Sequence, residues 1–247
     1  MLLKKPQHQT VARSVQVVVP INTERVFALK NVRMFFKKSG PLRFVSHLDM
    51  NRVMTRLLRL SKVPIWYTEG FNRHPYITFA LPLSLGFSSE YEVMDFRFDD
   101  ENDNFDISVA EKMISDVCPE GIEVIALKEP VFKSGKIALA DFKITFFKDS
   151  SAAAKTLEDF LNLKEIIVSK TTKKGGTKEI DLAPKIKEYK IFSDDELTLF
   201  IKLPAGGEDN INPKILVDKY LDEIGEQNGF YTVIRTGLYL ADGTKFE

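Results

Sequence analysis

The stretch 31–62, NVRMFFKKSGPLRFVSHLDMNRVMTRLLRLSK, decides the fold. Val32-Arg33-Met34-Phe35-Phe36-Lys37 is a run of β-branched and aromatic residues stopped by Ser39-Gly40-Pro41, which reads as a strand. Ser46 then offers an N-cap, and Asp49 stands three residues on, as in a capping box with Asp in place of Glu. Met50, Val53, Met54, Leu57 and Leu58 recur at helical spacing and make one apolar stripe, with Arg52, Arg56 and Arg59 opposite. Pro64 prevents the helix from extending. The segment is therefore a strand followed by an amphipathic helix.

Working outward, Ile65–Thr68, Tyr76–Leu81 and Glu92–Phe98 read as extended pieces, Ile107–Val117 as a helix and Ile122–Leu127 as a strand. The order β-α-β-β-α-β is the ferredoxin-like split β-α-β, an antiparallel sheet with both helices on one face. The pattern then recurs: strand 142–147, helix 151–163, strands 165–169 and 197–203, helix 213–227 and strand 230–240, with an insertion near 170–191. The expected fold class is α+β, two tandem ferredoxin-like domains over 31–129 and 142–247, joined by a linker at 130–141. Residues 1–30 read as an N-terminal extension in which Ser14–Val19 has strand character. A mobile extension, or a start codon placed too far upstream, is the simpler account.

The chain has 247 residues, of which 44% are hydrophobic and 28% charged, so wholesale disorder is excluded. The single cysteine, Cys118, allows no internal disulfide, no thiolate zinc site and no cysteine-ligated iron–sulfur cluster. That usage fits a reducing cytoplasm. No apolar run approaches the roughly 20 residues that span a bilayer, and Lys4 and Lys5 are not followed by an apolar signal core. A cytoplasmic protein without membrane contact is expected.

Lys plus Arg and Asp plus Glu both number 35, but the zero total hides a segregation. From Lys30 to Pro75 there are ten basic and two acidic residues, a balance of +8, whereas Ser84 to Glu129 holds three and thirteen, a balance of −10. Screening within about 8 Å makes such local patches matter more than the sum. The basic segment suits an anion such as phosphate, and the acidic one suits a basic partner. For Arg52, Arg56 and Arg59 alone, a solvated helix face is the plain explanation. Lys37, Lys38, Arg43, Arg73 and His74 lie instead in loops, and their convergence would make a cationic pocket. A second basic stretch, Lys170–Lys178, contains Gly175-Gly176 but has no Walker spacing, and an ordinary hairpin tip explains it equally well.

His47 and Asp49 are two residues apart at a helix start, so they do not share a face. A metal would need His74 and Glu69 as further ligands, at spacings that match no known pattern, and no metal site is expected. Ser46 and Asp49 as caps, with His47 packed or bonded to a loop carbonyl, is the structural alternative. The segment Glu69-Gly70-Phe71-Asn72-Arg73-His74-Pro75 is unlike a minimal turn. Phe71 is placed to stack on a base, at about 1–3 kcal/mol per contact. Arg73 and His74 would meet phosphate and Asn72 would hydrogen-bond. The alternative is a loop anchored by Phe71.

Three blocks, Gly40–Asp49, Glu69–Pro75 and Leu83-Ser84-Leu85-Gly86-Phe87-Ser88-Ser89-Glu90-Tyr91-Glu92, together resemble the radical SAM-linked protein family. The resemblance extends more loosely over Val32–Leu240 and takes in Glu179-Ile180-Asp181-Leu182 and Arg235-Thr236. That family is a bacterial domain of unknown function, found alone or at the C-terminus of radical SAM proteins. Its members have Asn-Pro-His-Pro-like text after the Gly-Phe pair, where this chain has Arg73 before His74. The resemblance implies a radical SAM partner and a link to RNA or ribosome metabolism. A radical SAM cluster needs three closely spaced cysteines, so any such cluster belongs to the partner, and no cofactor is expected in this chain.

The expected function is thus an accessory RNA- or phosphate-binding module without catalytic activity of its own, with Arg43, His47, Asp49, Arg52, Glu69, Phe71, Asn72, Arg73 and His74 as its surface. RNA binding by ferredoxin-like sheets is a fold-level analogy. Two alternatives stand beside it. One is a metal-independent endoribonuclease with His47 or His74 as general base. The other is a protein-interaction scaffold using the acidic segment.

Overall fold

A computed structural model describes residues 29–99, 105–147, 150–171, 175–207, 209–226 and 229–247. The strand character expected at Ser14–Val19 falls outside them. The first half contains β1 (Leu29–Lys38), α1 (His47–Ser61), β2 (Ile77–Phe79), β3 (Ser88–Asp99), α2 (Ile107–Ser115) and β4 (Ile122–Lys128). The second contains β5 (Leu139–Phe146), α3 (Ser150–Leu161), β6 (Ile167–Thr171), β7 (Thr177–Asp181), β8 (Glu188–Ser193), β9 (Leu197–Pro204), α4 (Pro213–Glu223) and β10 (Tyr231–Tyr239).

Alternation along the strands puts Val32, Met34 and Phe36 of β1 on one face with Met94, Phe96 and Phe98 of β3. Met50, Met54, Leu57 and Leu58 of α1, with Ala110 and Ile114 of α2, pack against that face. The stripe read from the sequence is therefore the buried one, each such side chain contributing on the order of 1.5–3 kcal/mol. Ser46 Oγ accepts from the Asp49 N–H, which starts α1 as the capping pattern requires, and Lys62 closes it at φ 60° just before Pro64. In α2 the equivalent cap is Asp106, whose carboxylate accepts from the Ser108 N–H and is held below the usual carboxylate range by that bond.

The main sheet has eight strands in the order β4-β1-β3-β10-β5-β9-β8, with β2 also paired to β3. All neighbours are antiparallel except β3 and β10, which run parallel and pair Ser88 with Ile234 and Ser89 with Arg235. The expected pair of separate antiparallel sheets is therefore replaced by one mixed sheet. The reason lies in strand length. β3 spans twelve residues, but β2 covers only Met94–Phe96 and Pro64–Trp66 meet Arg97–Asp99, which would leave the Ser88–Glu92 part of that edge bare. The last strand of the chain occupies the opening instead.

The second half also departs from its expected assignment. The strand read at 165–169 lies in β6, which pairs with β7 in a separate two-stranded hairpin. The strand beside β9 is β8, from the segment read as an insertion. Ile166 and Val168 are buried, so their apolar signal is genuine, but they seal the second core from outside the main sheet. Tyr189 and Ile191 of β8 pack only partly against the core.

The segment after β10 crosses the open face of the first half. Phe246 is fully buried, the Arg33 guanidinium lies 4.4 Å from its ring centroid, and Tyr91 donates to its carbonyl at 2.9 Å. Burial pushes the Tyr91 hydroxyl up to about 12. Phe35, Tyr91 and Val93 consequently join the second half's core. Among the described residues no helix is long and apolar enough to cross a membrane.

Candidate functional site

β1 ends with Lys38, which continues the alternation Val32, Met34, Phe36 and so points inward toward α1. It is 4% exposed. Glu92 of β3 lies on the same face at 3% exposure, and Arg235 of β10 arrives through the parallel joint at 2%. Arg235 Nη2 donates to Glu92 Oε1 at 2.5 Å and to the Leu81 carbonyl at 2.8 Å. Its Nε is buried with no hydrogen-bond partner among the described residues. Lys38 Nζ donates to the Val45 carbonyl at 3.5 Å. Burial holds the Lys38 ammonium below its ordinary value; the Arg235 charge adds to that shift and Glu92 opposes it.

Above these charges is a narrow recess walled by Phe36, Met50, Phe79 and Leu83, with Lys38 and Glu92 at its floor and His47 at its mouth. Its free volume is about 10 Å³, close to the roughly 10–15 Å³ that one water requires. It admits a single oxygen of a larger group rather than a whole anion. Of the two buried cations only Lys38 lines the recess; Arg235 pairs with Glu92 from outside the lining, and Lys38 has no carboxylate partner of its own among the described residues. The buried cluster thus carries an excess positive charge, an expensive arrangement unless an anion balances it.

His47 is the first residue of α1 and is exposed. Its ring meets Phe79 edge-on at 5.2 Å, and Nε2 lies 3.3 Å from Asn51 Nδ2. Arg43 stands on a short 3-10 turn, Gly40–Phe44, with its guanidinium 4.6 Å from the Phe44 ring centroid. The turn is pinned beside the recess by the Gly86 N–H, which donates to the Arg43 carbonyl at 2.8 Å. Asp49 and Arg52 form an exposed ion pair at 2.7 Å. Ser46 and Arg52 keep the Asp49 carboxyl below the usual carboxylate range, which leaves Arg52 already committed.

The other expected residues lie on a second structure. Tyr67 bridges Pro75, and the Thr68 N–H donates to the His74 carbonyl at 2.9 Å, so Glu69, Phe71, Asn72 and Arg73 occupy the tip of a small hairpin. All four are exposed. His74 Nδ1 lies 2.9 Å from the Asn72 carbonyl and 3.2 Å from Thr68 Oγ1, contacts that hold the hairpin to itself. Among the described residues no hydrogen bond, ion pair or ring contact joins this tip to Arg43, His47 or Arg52.

Residues 31–213 match the family described as "Uncharacterized protein conserved in bacteria (DUF2344)". The chain belongs to this family. Its members occur alone or fused to radical SAM proteins in bacteria. Lys38, His47 and Glu92 lie within the matched segment, and Arg235 lies beyond it. Comparison with curated proteins gives no match.

The cysteine-held cluster of a radical SAM enzyme does not fit this chain. Cys118 is alone, half-buried, and donates to the Ile114 carbonyl at 3.4 Å, and burial pushes its thiol up. Among the described residues no three His, Cys, Asp or Glu side chains are grouped to hold a metal.

Lys38 belongs to the basic patch expected from the sequence, whereas Glu92 and Arg235 have no part in it. Strand alternation carries a signal for Lys38, since it occupies the next inward position after Phe36. Nothing local signals Arg235, which reaches Glu92 from 143 residues away.

Proposed function

We propose that this protein is an accessory binding module that acts beside a radical SAM protein and holds a phosphate-bearing ligand, RNA in the first place, at the recess of Lys38, Glu92 and His47, with Arg235 paired to Glu92. The observation that carries the reading is the buried charge excess, two cations to one carboxylate, with Arg235 Nε unpartnered. One phosphate oxygen entering the recess supplies the missing negative charge, while the rest of the group stays outside near His47 and Arg43. Charge-assisted bonds of this kind are the strong ones.

The strand orders support a duplicated ferredoxin-like plan beneath the shared sheet. The first half runs β4-β1-β3-β2 and the second β10-β5-β9-β8, each of them fourth, first, third, second in its own sequence. On this plan the first unit lines the recess, and the second reaches it only through Arg235, which pairs with Glu92.

The endoribonuclease reading has less support. His47 faces Asn51, and His74 faces Thr68 and the Asn72 carbonyl, so neither imidazole is oriented by a carboxylate as a general base would be. A direct test is fluorescence anisotropy with labelled poly(U) across a salt series. Lys38→Met should weaken binding about tenfold and lower the salt slope by about one, as for the loss of one phosphate contact. Equal binding by the variant and the wild type would refute the assignment of the recess.

A further inference from the structure

The opposite face of the first half carries a second feature that the recess does not use. Arg33, Asp95 and Arg97 project there, because Met34, Met94, Phe96 and Phe98 take the helix side. With the 129–133 segment as a far wall, they line an open groove of about 830 Å³. Its charged side chains are Lys30, Arg33, Arg97 and Lys133 against Asp95 and Glu129. Arg33 is paired with Asp95 at 2.7 Å and Lys30 with Glu129 at 3.7 Å. Among the described residues Arg97 and Lys133 have no carboxylate partner.

Arg97 is held as part of a stack. Its Nε donates to Asn31 Oδ1 at 3.1 Å, and its guanidinium lies 4.6 Å from the Tyr76 ring centroid and 5.5 Å from that of Trp66. Trp66 and Tyr76 meet edge-on at 5.8 Å. Tyr76 is exposed, and the Tyr76 N–H donates to the Trp66 carbonyl at 3.2 Å, so both rings stand at the base of the hairpin that carries Phe71 and Arg73. A continuous strip therefore runs from the hairpin tip through Tyr76 and Arg97 into the groove. Flat π surfaces alternate along it with cations that have no carboxylate partner among the described residues.

We infer that this groove binds single-stranded RNA, with bases stacking at Tyr76 and Arg97 and phosphates meeting Arg97 and Lys133. The assignment deepens the RNA reading above and rests on it. Charge complementarity selects a polyanion, and the exposed aromatic and guanidinium planes select one that carries bases. The groove and the recess occupy opposite faces of the sheet. They also lie near opposite ends of β1, from Asn31 to Lys38, roughly 23 Å apart along the strand, so they make separable contributions.

Trp66 is the chain's one tryptophan and touches Tyr76 and Arg97 of the groove, so its fluorescence reports on those two residues. The full-length protein is titrated with poly(U), with inorganic polyphosphate, which has charge but no bases, and with poly-glutamate. Poly(U) should quench Trp66 and poly-glutamate should leave it unchanged; polyphosphate, which can meet Arg97 but cannot stack, should alter Trp66 less than poly(U), and an equal effect of the two would overturn the assignment of bases to the groove. Tyr76→Ala and Arg97→Ala should each weaken poly(U) binding about fivefold or more, the lower end for a lost base stack. Lys38→Met should retain the quenching amplitude.

Poly(U) that binds by anisotropy without altering Trp66, in the wild type, overturns the groove and leaves the recess standing. Quenching by poly(U) with an affinity that Lys38→Met does not change supports the groove and refutes the recess. Quenching by poly-glutamate in place of poly(U) marks a site for acidic peptide and overturns the proposal, as does the absence of any poly(U) binding. The wild-type titration decides the matter even if a variant fails to fold.

Discussion

Glu92 is the single carboxylate at the floor of the recess, and two buried cations depend on it. Replacing it by Gln keeps the shape but leaves Lys38 and Arg235 facing each other's charge without compensation. Breaking a buried pair from one side costs about 3–5 kcal/mol, and Glu92→Gln should show that loss in urea unfolding. Addition of sulfate should restore more stability to this variant than to the wild type, because the anion then replaces the missing charge. At this scale the sequence was partly legible. The Ser46–Asp49 cap is legible from its own neighbourhood, because caps are local. Lys38 was read only as a member of a basic run, although its inward position follows from the same alternation that places Phe36. Glu92 was counted among the acidic residues of an apparent surface, because nothing near it in sequence indicates that Arg235 will cover it.

α1 links the residues to the fold, since its first residue is His47 and its apolar stripe fills the first core. The Ser46 hydroxyl accepts from the Asp49 N–H at 3.2 Å and donates to the Asp49 carboxylate at 2.7 Å. Ser46→Ala removes the cap and should cost about 1 kcal/mol of stability. Because the first turn then frays, His47 leaves its edge-on contact with Phe79, and poly(U) affinity should fall as well. An unchanged affinity in a folded Ser46→Ala protein would show that His47 takes no part. Elements with strong local patterns were all legible, among them β1, α1, α2 and β9. The exchange of roles between β6 and β8 was not. Ile166, Ile167 and Val168 make the better strand by composition, whereas Glu188-Tyr189-Lys190-Ile191-Phe192-Ser193 is a half-exposed edge strand with a weak alternation. Pairing is decided by which segment reaches β9, and composition does not carry that information.

The joint between β3 and β10 is a property of the whole chain. It closes an edge that β2 is too short to cover, carries Arg235 to Glu92, and makes one sheet of two units that the sequence presents as separate. Two pairs of residues at the joint, Ser88 with Ile234 and Ser89 with Arg235, are too few to leave a pattern. The central claim is that this joint builds an anion site around Lys38. Burial holds the Lys38 ammonium below its ordinary value, so its proton is lost at a lower pH than that of a free lysine. Anion affinity that depends on the Lys38 ammonium is present at neutral pH and disappears as pH rises through that lowered value. The most direct measurement is calorimetric titration with sulfate, whose charge is constant over this range, from neutral pH to pH 10.5. The account predicts binding that weakens before the ordinary lysine range is reached and that is weak at every pH in Lys38→Met; equal sulfate affinity in the two proteins would contradict it.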